Sequence, residues 1–302
     1  MMQRSSFYEQ ISRNKRDSLL LTIFVVSIVI GLVYVIATVF LPEFALLLPI
    51  FATVLMIAHV QISYNYGDQI VLTATNARPA DATRETFLIN TAEGLSLAAG
   101  IPAPKTYVVE SDEINAFAVG KDPEHASIAV TTGALTHLNR TELEGVVGHE
   151  ISHIKNFDIR FMTLIAVLVG LAAILSHMLL RAYWFAGPQQ RRSERRRDER
   201  LGILILVGLV LAVLAPIASR LVQAMISRRR EFLADASSAQ LTRYPEGLAS
   251  ALEKIMKYNR GKMEVTDSIS HLFISDPNRN PLDELFATHP PLEKRVEALR
   301  AM

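Results

Sequence analysis

Cysteine is absent from all 302 residues, and so is any surplus of charge: 31 Lys and Arg face 30 Asp and Glu, a formal net charge of +1. The first absence excludes a disulfide framework and any thiolate metal site, so a bound metal must rest on His, Asp or Glu. It also fits a reducing compartment. The second absence leaves no basic excess from which to argue a nucleic-acid partner, so charge matters here through local clusters. No internal repeat is present. What the chain has instead is apolar residues. They make up 50% of it and its mean hydropathy is positive, a balance that leans towards a membrane protein.

Four apolar runs carry that excess: Ser18–Phe40, Phe44–Ile62, Phe161–Leu180 and Leu201–Ser219. The first has no charged residue over its whole length, enough for a spanning helix and too long for a signal-peptide core. With the second run it reads as a retained helical hairpin. Arg4, Arg13, Lys15 and Arg16 precede the hairpin, and the loop inside it carries only Glu43, so the positive-inside rule places the N-terminus in the cytoplasm. The second helix then returns the chain to that side, with Tyr64 and Tyr66 at the interface. The later pair is separated by a loop rich in arginine, from Arg191 to Arg200. If both of these runs span, that loop lies outside, against the charge rule, and reads as a solvated loop whose acidic residues partly offset the arginines; the alternative is a hairpin packed on the protein or partly immersed.

Two polar blocks remain, and length allows roughly two domains. In the first, Thr83–Ala99 has a helical pattern closed by Gly100. Thr106–Val109, Asn115–Val119 and Ser127–Val130 read as short strands, the last two joined by a turn through Gly120 and Pro123. Thr141 to Glu144 has the form of a capping box and predicts the start of a helix. The second block, from about residue 228, is helical in pattern and punctuated by Pro245, Pro277, Pro281 and Pro290-Pro291.

The helix that Thr141 opens carries His149-Glu150-Ile151-Ser152-His153. Four residues apart on a helix, the two imidazoles share a face about one turn apart and can reach a single ion. Glu150 is turned by about 100 degrees, beside such an ion rather than on it, where it can accept a proton from bound water. Two histidines are too few for a catalytic zinc, which takes three protein ligands. No third histidine follows nearby, since Asn156 and Phe157 come next. The best candidate is Glu231, with Asp235 one turn later on the same face, where it could orient a ligand histidine. Spacing alone leaves open that these two acids are an ordinary exposed face beside Arg228–Arg230.

Together, His149-Glu150-x-x-His153 with Asn156 and Asp158, an apolar pair, and Glu231-Phe232-Leu233-Ala234-Asp235 resemble the HtpX family of membrane-bound zinc metallopeptidases, relatives of the CAAX-prenyl endoprotease. The likeness extends to the N-terminal helix pair, to Asn115-Ala116-Phe117-Ala118 and to Thr288-His289-Pro290-Pro291 with Arg295. It implies one zinc ion per subunit on His149, His153 and Glu231, with Glu150 as catalytic base and Asp235 supporting a ligand. It also implies that Asn115, Ala116, Phe117 and Ala118 form an edge strand that holds a peptide substrate through its backbone, and that His289, braced by Arg295, stabilises the oxyanion.

The expectation is therefore an α+β membrane protein: a mainly helical, zincin-like catalytic domain with a small β-sheet, plus about four hydrophobic helices. Residues 1–17 form a cytoplasmic segment and 18–62 a transmembrane pair. Residues 63–160 form the first part of the peptidase domain, 161–222 the second hydrophobic pair and 223–302 the second part. The expected enzyme is a multi-pass endopeptidase of the cell (inner) membrane with its site facing the cytoplasm. Its expected substrates are membrane proteins or unfolded proteins, in quality control and the stress response.

Overall fold

In a computed structural model, the structure describes residues 46–164, 166–167, 228–261, 263, 265–277 and 289–302, together with 42–44 and a few isolated N-terminal positions. Most of the first apolar run, and everything from 168 to 227 including the arginine-rich loop, lies outside the described residues.

Helix α1 (Leu47–Ala74) begins inside the second apolar run but does not stop with it. It continues unbroken past Ile62 for three more turns, so the expected boundary between membrane helix and catalytic domain falls within one helix. Its first half exposes Leu47, Ile50, Phe51, Val54, Leu55 and Ile57, whereas Val71 and Leu72 near its end are buried. Among the described residues it is the one helix long and apolar enough to cross a membrane.

After β1 (Arg78–Pro79), α2 (Thr86–Ala99) ends at Gly100, whose φ of 72° is the left-handed conformation that glycine adopts without penalty. Strands β2 (Lys105–Val109), β3 (Ala116–Gly120) and β4 (Ala126–Thr131) follow within a residue or so of the sequence pattern. The sheet order is β1-β2-β4-β3. β3 and β4 form the expected antiparallel hairpin, while β2 and β4 run parallel. The chain therefore passes from β2 out to the edge strand β3 before returning to the centre.

Side chains alternate across β3, so Ala116 and Ala118 enter one apolar cluster while Phe117 and Val119 enter another on the opposite face. The first cluster joins the sheet to α2, to α4 (Arg140–Lys155), which follows the short helix α3 (Thr132–His137), to α6 (Pro245–Tyr258) and to α8 (Leu292–Arg300). The second packs the end of α1, Met162 and the segment Ile269–Phe273 on the far face. That segment begins with the one-turn helix α7 (Asp267–Ser270).

Helix α4 is buried along nearly its whole length. It is clasped by α5 (Arg228–Thr242) and α6, so the second polar block completes a unit begun by the first. Two glycines permit the approach. A Cβ on Gly145 would lie 2.6 Å from the Leu248 backbone nitrogen, and one on Gly148 would lie 2.9 Å from Ser238 Oγ.

The helix starts two residues earlier than the Thr141–Glu144 pattern indicates. Asn139 is the N-cap and Glu142 the reciprocal acid, at 3.0 and 2.7 Å. Glu142 is fixed in that role by tertiary partners, Lys254 Nζ and Ser250 Oγ, each 2.7 Å away on α6.

Candidate metal centre

His149 and His153 point from α4 towards Glu231 on α5. Their Nε2 atoms are 3.1 Å apart, and they lie 3.6 and 3.5 Å from the two oxygens of Glu231. All three residues are buried, and their donor atoms lie within 4.8 Å of one another. Ligands about 2.0–2.2 Å from a tetrahedral zinc sit roughly 3.3 Å apart, so the spacing suits such an ion. Glu231 is 1% exposed, and neither of its oxygens makes a directed hydrogen bond among the described residues. A buried carboxylate whose oxygens lack directed hydrogen bonds and face two imidazole nitrogens is a suitable seat for a cation, so these donors fit a metal.

The other ring nitrogens are spoken for. His149 Nδ1 is 3.0 Å from Asp235 Oδ1, and His153 Nδ1 is 3.1 Å from Asp158 Oδ2. A carboxylate can only accept there, which puts the proton on each Nδ1 and leaves each Nε2 lone pair free for a metal. Arg295 Nη2 also lies 3.4 Å from His149 Nδ1, but this is proximity, since that nitrogen carries a proton and Arg295 donates to Asp235 from Nη2 at 2.7 Å and from Nε at 2.8 Å. The same guanidinium donates to the Ile274 carbonyl at 3.1 Å and lies 3.5 Å from Glu231.

Without metal the two imidazoles divide their charge. Burial pushes His149 down to about 4, helped by Arg295 and His153 against the pull of Asp235. Burial acts on His153 in the same sense, but Asp158 and Glu231 override it and hold the ring up at about 9. Burial would raise Glu231, yet His289, His153 and Arg295 keep it well below the usual carboxylate range. Glu150, also buried, is pushed up to about 7 by desolvation, with Glu231 adding to the effect.

Of the remaining sequence candidates, His289 lies inside the site, its Nδ1 2.9 Å from Glu231 Oε2 without the direction of a hydrogen bond. Arg295 and Asp235 form a fully buried bidentate pair. The stretch Asn115–Ala118 reaches the site at Ala118, whose backbone meets the Glu150 carboxylate. Its neighbours are engaged by the chain itself. The Ala116 carbonyl accepts from Ile274 N at 2.9 Å, the Asn115 amide brackets Ser275, and Phe117 is bridged to Phe273. Asp158 is the residue whose place the sequence understated. In the sequence it only accompanies the metal helix as part of the resemblance, whereas the structure sets it against the ring of His153. The available signal was that His153, like His149, needs a carboxylate of its own.

A helix presenting His-Glu-x-x-His, completed by a glutamate from a second helix, defines a metallopeptidase of the glutamate-ligand type. Residues 82–302 match the profile of Peptidase family M48, and the chain belongs to that family. It is 45% identical to a Protease HtpX homolog of Dictyoglomus thermophilum over 304 aligned positions, covering 100% of this chain and 96% of that one. It is 46% identical to a Protease HtpX homolog of Caldanaerobacter subterraneus over 84% of each chain. The fold resembles the crystal structure of S. mikatae Ste24p with a TM-score of 0.52 at 19% identity, covering 95% of this chain and 66% of that one. The site is thus that of an HtpX-like metallopeptidase, built on a mainly helical α+β domain with a small mixed sheet.

Proposed function

We propose that the protein is a zinc endopeptidase held in the cell membrane by its apolar helices, with its site on the cytoplasmic side and membrane-embedded or unfolded proteins as substrates. The observation that carries the chemistry is the arrangement of buried donors: three ligands from two helices, each imidazole held by its own carboxylate. A zinc ion on His149, His153 and Glu231 would polarise the scissile carbonyl and supply a nucleophile near neutral pH.

The chain does the rest. Glu150 is buried beside the ligands with one oxygen lacking a hydrogen-bond partner among the described residues, and its raised affinity for protons suits it to take one from water and return it to the leaving amine. His289, whose ring lies next to Glu231 without a directed hydrogen bond among the described residues, donates to the carbonyl oxygen as charge develops there. Asp235, Asp158 and Arg295 hold the ligand rings in register. A peptide pairing with the Asn115–Ala118 edge would displace residues 273–275 from it.

The exposed apolar face of α1 supports the membrane reading, and the basic N-terminal segment supports the cytoplasmic orientation. On this reading residues 63–160 and 223–302 form one catalytic unit interrupted by the hydrophobic segment 161–222. The resemblance to HtpX proteases supports a role in quality control under stress, by analogy alone.

The test is casein hydrolysis by detergent-purified, zinc-loaded protein beside Glu150→Gln. Cleavage by the parent and none by the folded, zinc-bound variant supports the assignment. Equal cleavage by both removes Glu150 as the base.

A further inference from the structure

A second polar pocket, of about 210 Å³, lies away from the metal, where the exposed apolar run of α1 gives out. Ile62 is the last large apolar residue of that run, and Ser63, Tyr64 and Asn65 already line the pocket. Two cations stand over the Tyr64 ring. Arg160, from the helix that follows the metal helix, has its Cζ 4.9 Å from the ring centroid, and Lys121, from the β3–β4 turn, has its Nζ at 5.7 Å. Lys105 of β2 is a third cation on the wall. Two separate elements thus bring positive charge to one aromatic ring just past the apolar run of a lipid-length helix, and a third places a cation on the same pocket wall.

None of these three cations forms an ion pair among the described residues, although Asp68 and Glu124 line the same pocket. Asp68 sits one helical turn beyond Tyr64, about 6 Å further from the apolar run. Glu124 is on the exposed 3₁₀ turn after β3. Along α1 the two cations over Tyr64 therefore lie nearer the apolar run than Asp68 does. Cation–π contact holds Lys121 and Arg160 in place without neutralising them, which leaves their N–H groups for an anion. A guanidinium fork and an ammonium around a polar cavity match phosphate oxygens.

We propose that this pocket binds the phosphodiester headgroup of an anionic phospholipid from the leaflet that meets the catalytic domain, with the acyl chains lying along the exposed apolar face of α1. The proposal rests on the membrane reading above and adds a ligand to it. Such a lipid would bridge α1, β2, the β3–β4 turn and the helix carrying Arg160, and so fix the catalytic domain against the bilayer surface.

The test uses the full chain in neutral detergent, titrated with phosphatidylglycerol, phosphatidylcholine or inorganic phosphate, with melting temperature as the readout. The variants are Lys121→Gln/Arg160→Gln and the milder Arg160→Lys. Phosphatidylglycerol should raise the parent's melting temperature, the double variant should need at least tenfold more lipid for the same rise, and Arg160→Lys should fall between. A response to phosphatidylcholine equal to that for phosphatidylglycerol, or an unchanged response in the double variant, would overturn the proposal. Inorganic phosphate matching the lipid at equal concentration would overturn the lipid assignment in favour of a free-anion site. Flotation of the parent with neutral phosphatidylcholine vesicles checks the membrane reading separately. Failure to float sinks that reading and this one together, while flotation with no lipid preference in the titration sinks this one alone.

Discussion

His153 Nδ1 and Asp158 Oδ2 lie 3.1 Å apart across the end of the metal helix. The contact spans five residues because Phe157, with φ of 59°, turns the chain in the left-handed sense and brings Asp158 back under the ring. An ordinary helical continuation would carry Asp158 past the imidazole. Asp158→Asn keeps the shape and removes the charge, so zinc affinity should fall about 10- to 100-fold with the fold retained. Competition with a fluorescent zinc chelator measures it, and an unchanged affinity would reduce Asp158 to a helix brace.

Arg295 is 0% exposed and lies between two buried carboxylates. Replacing it with methionine removes the guanidinium that pairs Asp235 and offsets the charge of Glu231. Breaking a buried pair in this way costs about 3–5 kcal/mol, which for a domain of this size is roughly 10 °C in melting temperature. Arg295→Lys should recover only part of that, since an ammonium cannot make the two-armed contact. Equal melting of parent and Arg295→Met would show that the pair contributes little.

Glu142 gives a pH signature well away from the metal. Burial works against its charge, but Lys254, the Asn139 N–H and Ser250 outweigh it and lower its pKa in the folded chain. A depressed folded value means that the stabilisation is complete above the unfolded value, near ~4.3, and is lost as pH falls through the lower folded value. Glu142→Gln should therefore cost about 1–3 kcal/mol at neutral pH, with the gap to the parent closing in acid. Melting curves from pH 7 down to about 3 would show it; a gap that persists to the lowest pH would contradict the assignment.

Zinc should stabilise the fold as well as the chemistry, because it binds a buried ligand set that the unfolded chain does not hold together. At 100 times its dissociation constant a bound ion contributes about 2.7 kcal/mol. Stripping the metal should lower the melting temperature and zinc should restore it. Glu150→Gln should keep that response in full, whereas Glu231→Gln should lose most of it. Loss of the response in Glu150→Gln would place Glu150 among the ligands.

The metal centre was half legible in the sequence. His149 and His153 declare themselves because helical periodicity fixes their common face within one element. Glu231 did not, since nothing local separates a buried ligand from a solvated acid next to three arginines; only packing of α5 on α4 decides it. The strands were read within a residue or two from β-branched and apolar runs, but β1 was missed because Arg78-Pro79 has no strand pattern. The cap of α4 was read two positions late. Asn139/Glu142 and Thr141/Glu144 satisfy the same local rule, and Lys254, more than a hundred residues away, selects the former.

If β3 is the strand that receives substrate, the pairing of residues 273–275 along it sets a kinetic threshold. A strand edge left bare beside a hydrolytic centre would be a landing site for any extended chain, including another copy of the enzyme. Here the edge already has a partner, tethered at an effective concentration on the order of millimolar. A guest peptide must exceed that to take its place. Dilute soluble chains fall short of it, whereas segments concentrated beside the enzyme in two dimensions can reach it, so selection would begin with crowding before any side chain is read.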